Sequence, residues 1–366
     1  MPITDAPHAP PFCPNKSCRF HSDSTASWPW SKAGHFHRQA APHRIQRFHC
    51  GDCGLYFSEQ TFRTTYWLKR PELQLKLFHQ VVQCSAYRQI ARQYAASPQT
   101  IALHTARLGR HCLLFHQRLR PKGSIPEPLS LDSFQSFEYS QYHPTLFHVV
   151  AGKDSHFFHG FTDSELRRSG RMRPDQKRRR AELERDLGRP DPRSVQREVA
   201  RVLQIVAPEP QALQLHTDEH QDYPRAIAEV SYLDIDHRTI SSRAARTSRN
   251  PLFPINLLDF LIRHCGANHK RETNSFSKRR QSAAARLWVF LVWRNYWKWF
   301  SERKRGKTPA MMLGVCEGRI SLEQILSERL FPSQVELPER WQDYYWGRVP
   351  TRRIPNARRH ELKFAC

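Results

Sequence analysis

Three acids in this sequence stand at positions that could serve metal-dependent chemistry. Asp132 lies inside the apolar run Leu129-Ser-Leu-Asp-Ser-Phe-Gln-Ser-Phe, Asp218 closes Leu213-Gln-Leu-His-Thr-Asp, and Glu272 sits in Asn268-His-Lys-Arg-Glu-Thr. Phosphodiester chemistry by two metals needs such carboxylates, converging from separate elements on two divalent ions about 4 Å apart, one activating the nucleophile and one the leaving oxygen. Glu219, Asp222 and Asp234 are rivals for the second position. Most acids in any chain are solvated surface or capping groups, and each of these must be weighed against that use.

A second chemistry is written in the cysteines. Cys13-Pro-Asn-Lys-Ser-Cys18 and Cys50-Gly-Asp-Cys53-Gly are two pairs in turn-prone settings, a spacing suited to tetrahedral zinc. Residues 1–65 are poor in aliphatics, so a metal must supply folding free energy on the order of 10 kcal/mol. Four protein ligands leave no open position, which makes the zinc structural. His21 and His49 flank the pairs and could each replace a cysteine; four buried thiols without metal is the blander alternative.

Elements must carry these groups. Leu129 to Glu138, Thr145 to Ala151 and His156 to Phe161 read as a three-stranded meander, Ala212 to His216 as a fourth strand and Asp236 to Ser241 as a fifth. Arg225 to Val230 reads as a helix, and the segment from Leu252 to about Arg303 as mostly helical, with Glu272 near its start. Between the third and fourth strands, residues 163–206 form a helical basic insertion; Arg178 and Arg179 in it could clamp a DNA backbone or line a solvated helix face. Pro121-Lys-Gly123 marks a boundary before the sheet. Aromatics are dense from Trp288 to Phe300, a pattern read as a helix packed on the sheet rather than a base-stacking platform.

Ahead of that boundary, Ser85 to Leu108 reads as helix, turn, helix. Ser97 is a helix N-cap with Pro98 at the first helical position. The second helix would turn Gln99, Thr100, His104 and Arg107 toward a major groove; a plain helical hairpin in a packed core is the alternative.

The charge balance favours the first of these. Lysine and arginine outnumber aspartate and glutamate by 58 to 34 over 366 residues, a formal charge of +24, and such a surface attracts polyanions. A membrane partner is disfavoured: the most apolar stretch, Leu287 to Phe300, is broken by Arg294, Asn295 and Lys298. Met1 to Pro11 lacks the layout of an export signal, so a cytoplasmic location is expected, with the nine cysteines as thiols or metal ligands.

The order strand Asp, strand-end Asp, helical Glu resembles the RNase H-like DDE transposases, and the likeness runs from the cysteine pairs through about Val315. Its most specific parts are residues 152–168, Asn250-Pro-Leu-Phe-Pro-Ile-Asn256 and His269-Lys-Arg-Glu-Thr273. These are similar to bacterial insertion-sequence transposases with an N-terminal zinc ribbon. The resemblance implies a multidomain α/β protein: a zinc ribbon at 1–65, a helix-turn-helix at 70–120, an RNase H-like domain with a mixed five-stranded sheet at 125–315, and a C-terminal tail at 316–366. It implies that Asp132, Asp218 and Glu272 hold Mg²⁺ or Mn²⁺ for DNA end cleavage and strand transfer, on element ends and target duplex, by a homo-oligomer. Arg294-Asn295-Tyr296 resembles a structural part of the helix beyond the Glu. Arg279, Arg280 and Arg286 could hold DNA near the metals. The competing functions are a non-catalytic DNA-binding regulator descended from a transposase and a ribbon-containing RNA-binding protein.

Overall fold

The computed structural model describes residues 9–22, 27–303 and 305–354. The first unit is a three-stranded antiparallel sheet of β1 (Trp30–His37), β2 (Arg44–Cys50) and β3 (Tyr56–Ser58), pairing Trp30 with Cys50 and Phe48 with Phe57. Poor in aliphatics, it builds much of its core from rings: Trp28 stacks on Phe57 with centroids 6.0 Å apart, and Trp30 meets Phe48 edge-on at 5.6 Å. Phe12 packs against Phe331, which ties this unit to the far end of the chain.

Three helices follow: α1 (Leu73–Val81), α2 (Tyr87–Gln93) and α3 (Pro98–Leu119). Ser97 caps α3 by accepting the Thr100 N–H at 3.0 Å, with Pro98 in the first turn, where φ is already set for helix. Leu73, Leu77, Ile90, Ala91 and Ile101 close a small apolar cluster between the three. From Leu108 onward α3 leaves that cluster and enters the main core with Cys112, Leu113 and Phe115. Gly109 permits this: a Cβ there would lie 2.6 Å from the Ala285 carbonyl oxygen on α8 (Arg280–Val292). The hairpin therefore shares its second helix with the core, and only the N-terminal third of α3 belongs to the hairpin.

The main sheet contains β4 (Leu129–Phe137), β5 (Pro144–Gly152), β6 (Phe158–Glu165), β7 (Ala212–Thr217) and β8 (Asp234–Thr239), in the order β6-β5-β4-β7-β8. The first three are antiparallel; β7 runs parallel to β4 and β8 parallel to β7. The fold is thus mixed α/β with the five strands that the apolar runs predict, β8 beginning two residues early. Side chains alternate across the sheet. Leu129, Leu131, Leu146 and Val150 face α5 (Ser194–Val206) and the short α6 (Asp222–Ala228), while Phe134, Phe147, Val149 and Phe161 face α7 (Phe253–Cys265) and α8.

Two expectations change here. The basic insertion divides: α4 (Pro174–Leu187) buries only Leu183, whereas α5 is a layer of the core, with Val195, Val199, Val202, Leu203 and Val206 on one stripe. The dense arginines before it hid that periodicity. Residues beyond 316 also differ from a tail. After α9 (Pro309–Met312) and α10 (Leu322–Ile325), α11 (Glu339–Tyr345) buries Trp341, whose indole N–H donates to the Phe161 carbonyl at 3.1 Å on the edge strand β6. The expected long C-terminal helix is interrupted by the loop 266–279 and ends in a widened turn, Trp293–Trp297. In that turn the Asn295 amide both accepts the Phe158 N–H and donates to the Phe158 carbonyl, each at 2.9 Å, so this motif is structural. Trp288, Phe290 and Tyr296 are buried, as a helix packed on a sheet requires.

Candidate metal centres and nucleic-acid interface

Cys13 and Cys18 come from a turn ahead of β1, Cys50 and Cys53 from the end of β2 and the turn after it, and the four sulfurs all lie within 4.8 Å of one another. Cys13 and Cys53 sulfurs are 3.6 Å apart, Cys18 and Cys50 sulfurs 3.9 Å. A zinc–sulfur bond of about 2.3 Å in a tetrahedron requires sulfurs separated by about 3.8 Å, so the cage fits a metal such as zinc. Disulfides, with sulfurs about 2 Å apart, are a different geometry. Burial raises the Cys13 thiol above its ordinary range and pushes Cys18 up to about 12; Cys50 is also buried, but backbone N–H groups and the Trp28 indole hold it at about 7. The Trp28 indole donates to the Cys50 sulfur at 3.3 Å. The histidine alternatives are engaged otherwise: His21 holds the Cys13 carbonyl and the Ser333 hydroxyl, and His49 rests on Tyr56.

The acids are assembled over much longer stretches of chain. In the parallel pairing of β4 with β7, Leu129 faces Leu215 and Ser130 faces His216. Asp132 and Asp218 each lie two residues beyond the last pair of that ladder, and the charge of Asp218 acts on Asp132. Asp132 shares its face of the sheet with Ser130 and Phe134, toward α7. Its carboxyl is driven up to about 7, first by burial and then by the charges of Asp218 and Asp259, against the Ser133 N–H it accepts at 2.6 Å and the nearby Arg246. Asp218 caps its own turn by accepting the His220 N–H at 3.0 Å.

Asp259, which the sequence analysis did not consider, is a third acid whose charge acts on Asp132. It lies on α7, half-buried, with both oxygens 3.1 Å from Arg263 Nε. Glu272 is not brought to this cluster: it stands exposed in the loop 266–279, and the helix expected to carry it stops at Cys265. The missed signal was a lone acid in Asn256-Leu-Leu-Asp-Phe-Leu261, one turn beyond the buried Ile255 on the helix after the fifth strand. Of the rivals, Glu219 accepts the Ser242 N–H, Asp222 pairs with Arg225, and Asp234 is exposed at the start of β8. Among the described residues only the cysteines close into a cage of ligand atoms within 4.8 Å, so the three aspartates share a neighbourhood and remain open.

No family model and no curated protein sequence matches this chain. Among solved structures it is similar to a chain in "CryoEM structure of simian T-cell lymphotropic virus intasome in complex with PP2A regulatory subunit B56 gamma", at 14% identity over 66% of this chain and 72% of that one, with a TM-score of 0.25. A score that low does not establish a shared fold.

The residues expected to meet DNA divide by exposure. On α3, Gln99 points to solvent, while Thr100 is held in the Ser97 cap, hydroxyl to hydroxyl at 2.9 Å. His104 is half-buried and burial lowers its pKa, and Arg107 turns inward to donate to the Thr64 carbonyl at 3.1 Å. Arg178 and Arg179 are exposed on α4, the latter beside Glu182 at 2.7 Å. Arg279 is the half-buried residue preceding α8.

Arg280 is a correction. Its guanidinium is buried and paired with Glu138 at 3.1 Å, Asp163 at 3.1 Å and Glu165 at 2.9 Å, so it has nothing to offer a phosphate. Arg286, likewise buried, donates to the Val81 and Ser85 carbonyls. Arg243, Arg246 and Arg249 are exposed in the loop between β8 and α7, and the charge of Arg246 acts on Asp132. Among the described residues, no helix is long and apolar enough to cross a membrane.

Proposed function

We propose that this protein is a divalent-metal-dependent DNA transposase of the DDE kind, in which Asp132, Asp218 and Asp259 hold the metal. The observation that carries the proposal is the buried Asp132 carboxyl, on which the charges of Asp218, two residues past the β4–β7 pairing, and of Asp259 on α7 both act. It is supported by the sheet order β6-β5-β4-β7-β8, the arrangement an RNase H-like domain needs to bring a mid-strand acid, a strand-end acid and a helix acid together. The donor set is all oxygen, which suits Mg²⁺ or Mn²⁺, and the raised Asp132 pKa marks negative charge that a cation would relieve. When bound, such ions supply Lewis-acid stabilisation of the phosphate and an activated oxygen nucleophile.

In this reading the cysteine cage is a structural zinc ribbon. The α2–α3 hairpin and the exposed arginines of α4 and the β8–α7 loop grip duplex DNA, and a homo-oligomer acts on element ends and target. DNA ends are cut by hydrolysis and the freed 3′-hydroxyl attacks the target, with no covalent protein intermediate. End-cleavage and strand-transfer assays in Mg²⁺ or Mn²⁺ test it: Asp132→Ala should abolish both, and full activity in that variant removes Asp132 from the chemistry.

A second reading, a non-catalytic DNA-binding regulator, is favoured by one contact, the Arg263 guanidinium already occupying Asp259. Sequence-specific duplex binding with no divalent-metal-dependent cleavage would select it over the first.

A further inference from the structure

His21 follows the first cysteine pair in the chain and is only 3% exposed. Four of its polar groups are engaged, two on the side of the cysteine cage and two on the side of the C-terminal segment. Toward the cage, its backbone N–H donates to the Cys18 carbonyl at 3.0 Å and its ring Nδ1 to the Cys13 carbonyl at 2.7 Å. A carbonyl only accepts, so Nδ1 carries the hydrogen and the neutral ring presents Nε2 as an acceptor. On the other side, that Nε2 receives the Ser333 hydroxyl at 2.9 Å, and the His21 carbonyl receives the Gln334 side-chain amide at 3.1 Å. One residue thus joins two cage cysteines to a stretch 312 positions further along the chain.

That stretch, between α10 and α11, is a strap across the molecule. Gln117 on α3 donates to the Glu336 carbonyl at 2.8 Å, and α11 begins three residues later. On α11, next to the Trp341 bond to β6, Arg340 meets Asp163 of β6 at 3.0 Å and Glu198 of α5 at 3.1 Å. Other contacts hold the chain just ahead of the strap. Thr64 donates to the Leu326 carbonyl at 2.9 Å, the Arg329 N–H donates to the Phe62 carbonyl at 2.8 Å, and Phe12 packs on Phe331. His21 reaches beyond them, to Ser333 and Gln334.

We propose that zinc occupancy of the cage controls how firmly this strap lies over β6, with His21 as the positioning residue between the two. The proposal rests on the reading of the cage as a zinc site. With their sulfurs held by the metal, Cys13 and Cys18 keep their carbonyls fixed, and those carbonyls aim the His21 ring at Ser333. Without it the turn loses its main source of folding energy, and the ring loses its aim. Coupling of this kind is reciprocal: a strap that docks better when zinc is bound must in turn tighten the zinc.

Ser333→Ala tests the coupling in the full chain, because it removes one hydrogen bond at an exposed residue far from the cysteines in sequence. With zinc bound, amide hydrogen exchange over residues 333–346 should rise about fivefold, one hydrogen bond's share of stability. Zinc affinity, measured against a competing chelator, should weaken by the same factor. His21→Asn keeps a donor near the Nδ1 position but is too short to reach Ser333, and should act in the same direction. Stripping zinc from the wild type should raise exchange over 333–346 further, while the strands of the main sheet stay protected. Zinc affinity unchanged in both variants overturns the coupling, as does a strap whose exchange ignores the removal of zinc. A wild type that takes up no zinc overturns the cage reading itself, and the coupling with it.

Discussion

The cysteine cluster and the aspartate cluster gather anionic ligands in opposite ways. The cysteines are soft, four in number and closed: two local turns deliver all the sulfurs, and nothing remains for solvent or substrate. The aspartates of the proposed metal site are hard, three in number and open, carried by a strand, the residue after a strand and a helix spread over residues 132 to 259. A closed cage supplies folding energy, whereas an open group of acids stores electrostatic tension that a substrate-bearing metal can release. The contrast teaches which site should fail by unfolding and which by losing chemistry alone.

The largest expected effect tests the closed site. A strong zinc chelator, or Cys50→Ser, should remove stabilisation on the order of 10 kcal/mol from the β1–β3 unit. Limited proteolysis should then cut within residues 30–58 while the five-stranded sheet stays protected. If the metal-free unit stays resistant, its ring core suffices and the two clusters do not differ in kind.

The open site should respond in rate. Asp259→Ala should lower cleavage on the order of 10³-fold, a loss of several kcal/mol of transition-state stabilisation, with the melting temperature little changed. Glu272→Ala, in its exposed loop, should leave cleavage within about twofold, in line with the near-neutral effect of ordinary surface substitutions. The reverse ranking would return Glu272 to the site.

The smallest effect is in pH dependence. Asp132 binds its proton more tightly in the folded protein, up to about 7, than in the unfolded chain, where the carboxyl has its ordinary value of 3.8. Between those values the folded state carries the extra proton. The stability due to this group is therefore fully present below about pH 4 and is lost as pH rises through 7. Asp132→Asn should melt higher than the wild type at pH 8, with the gap closing toward pH 4. Mg²⁺ should stabilise the wild type more at pH 8 than at pH 5; equal stabilisation at both would separate the metal from Asp132.

The same contrast explains what could be read from residue order. The cysteine pairs and the five strands were legible because each depends on neighbours within about ten residues: tight spacing in one case, apolar runs such as Leu129 to Phe137 in the other. Asp132 and Asp218 showed through their apolar flanks. Asp259 did not, because its approach to Asp132 depends on how α7 is rotated against β4. Glu272 was expected on a helix because the break at Gly266 was read through; it lies exposed in the loop instead. Arg280 looked like a surface cation for a similar reason: Glu138, Asp163 and Glu165 reach it from two other strands, from more than 110 residues away in the chain.

The length of α3 has a mechanical corollary. One uninterrupted rod begins in the small hairpin at Pro98 and ends against α8 beyond Gly109, so hairpin and sheet hold a fixed phase like two gears on one shaft. Adding a single residue between Ile101 and Leu108 would advance one end by about 1.5 Å and twist it by about 100°. Both ends would keep their own sequences and lose their alignment.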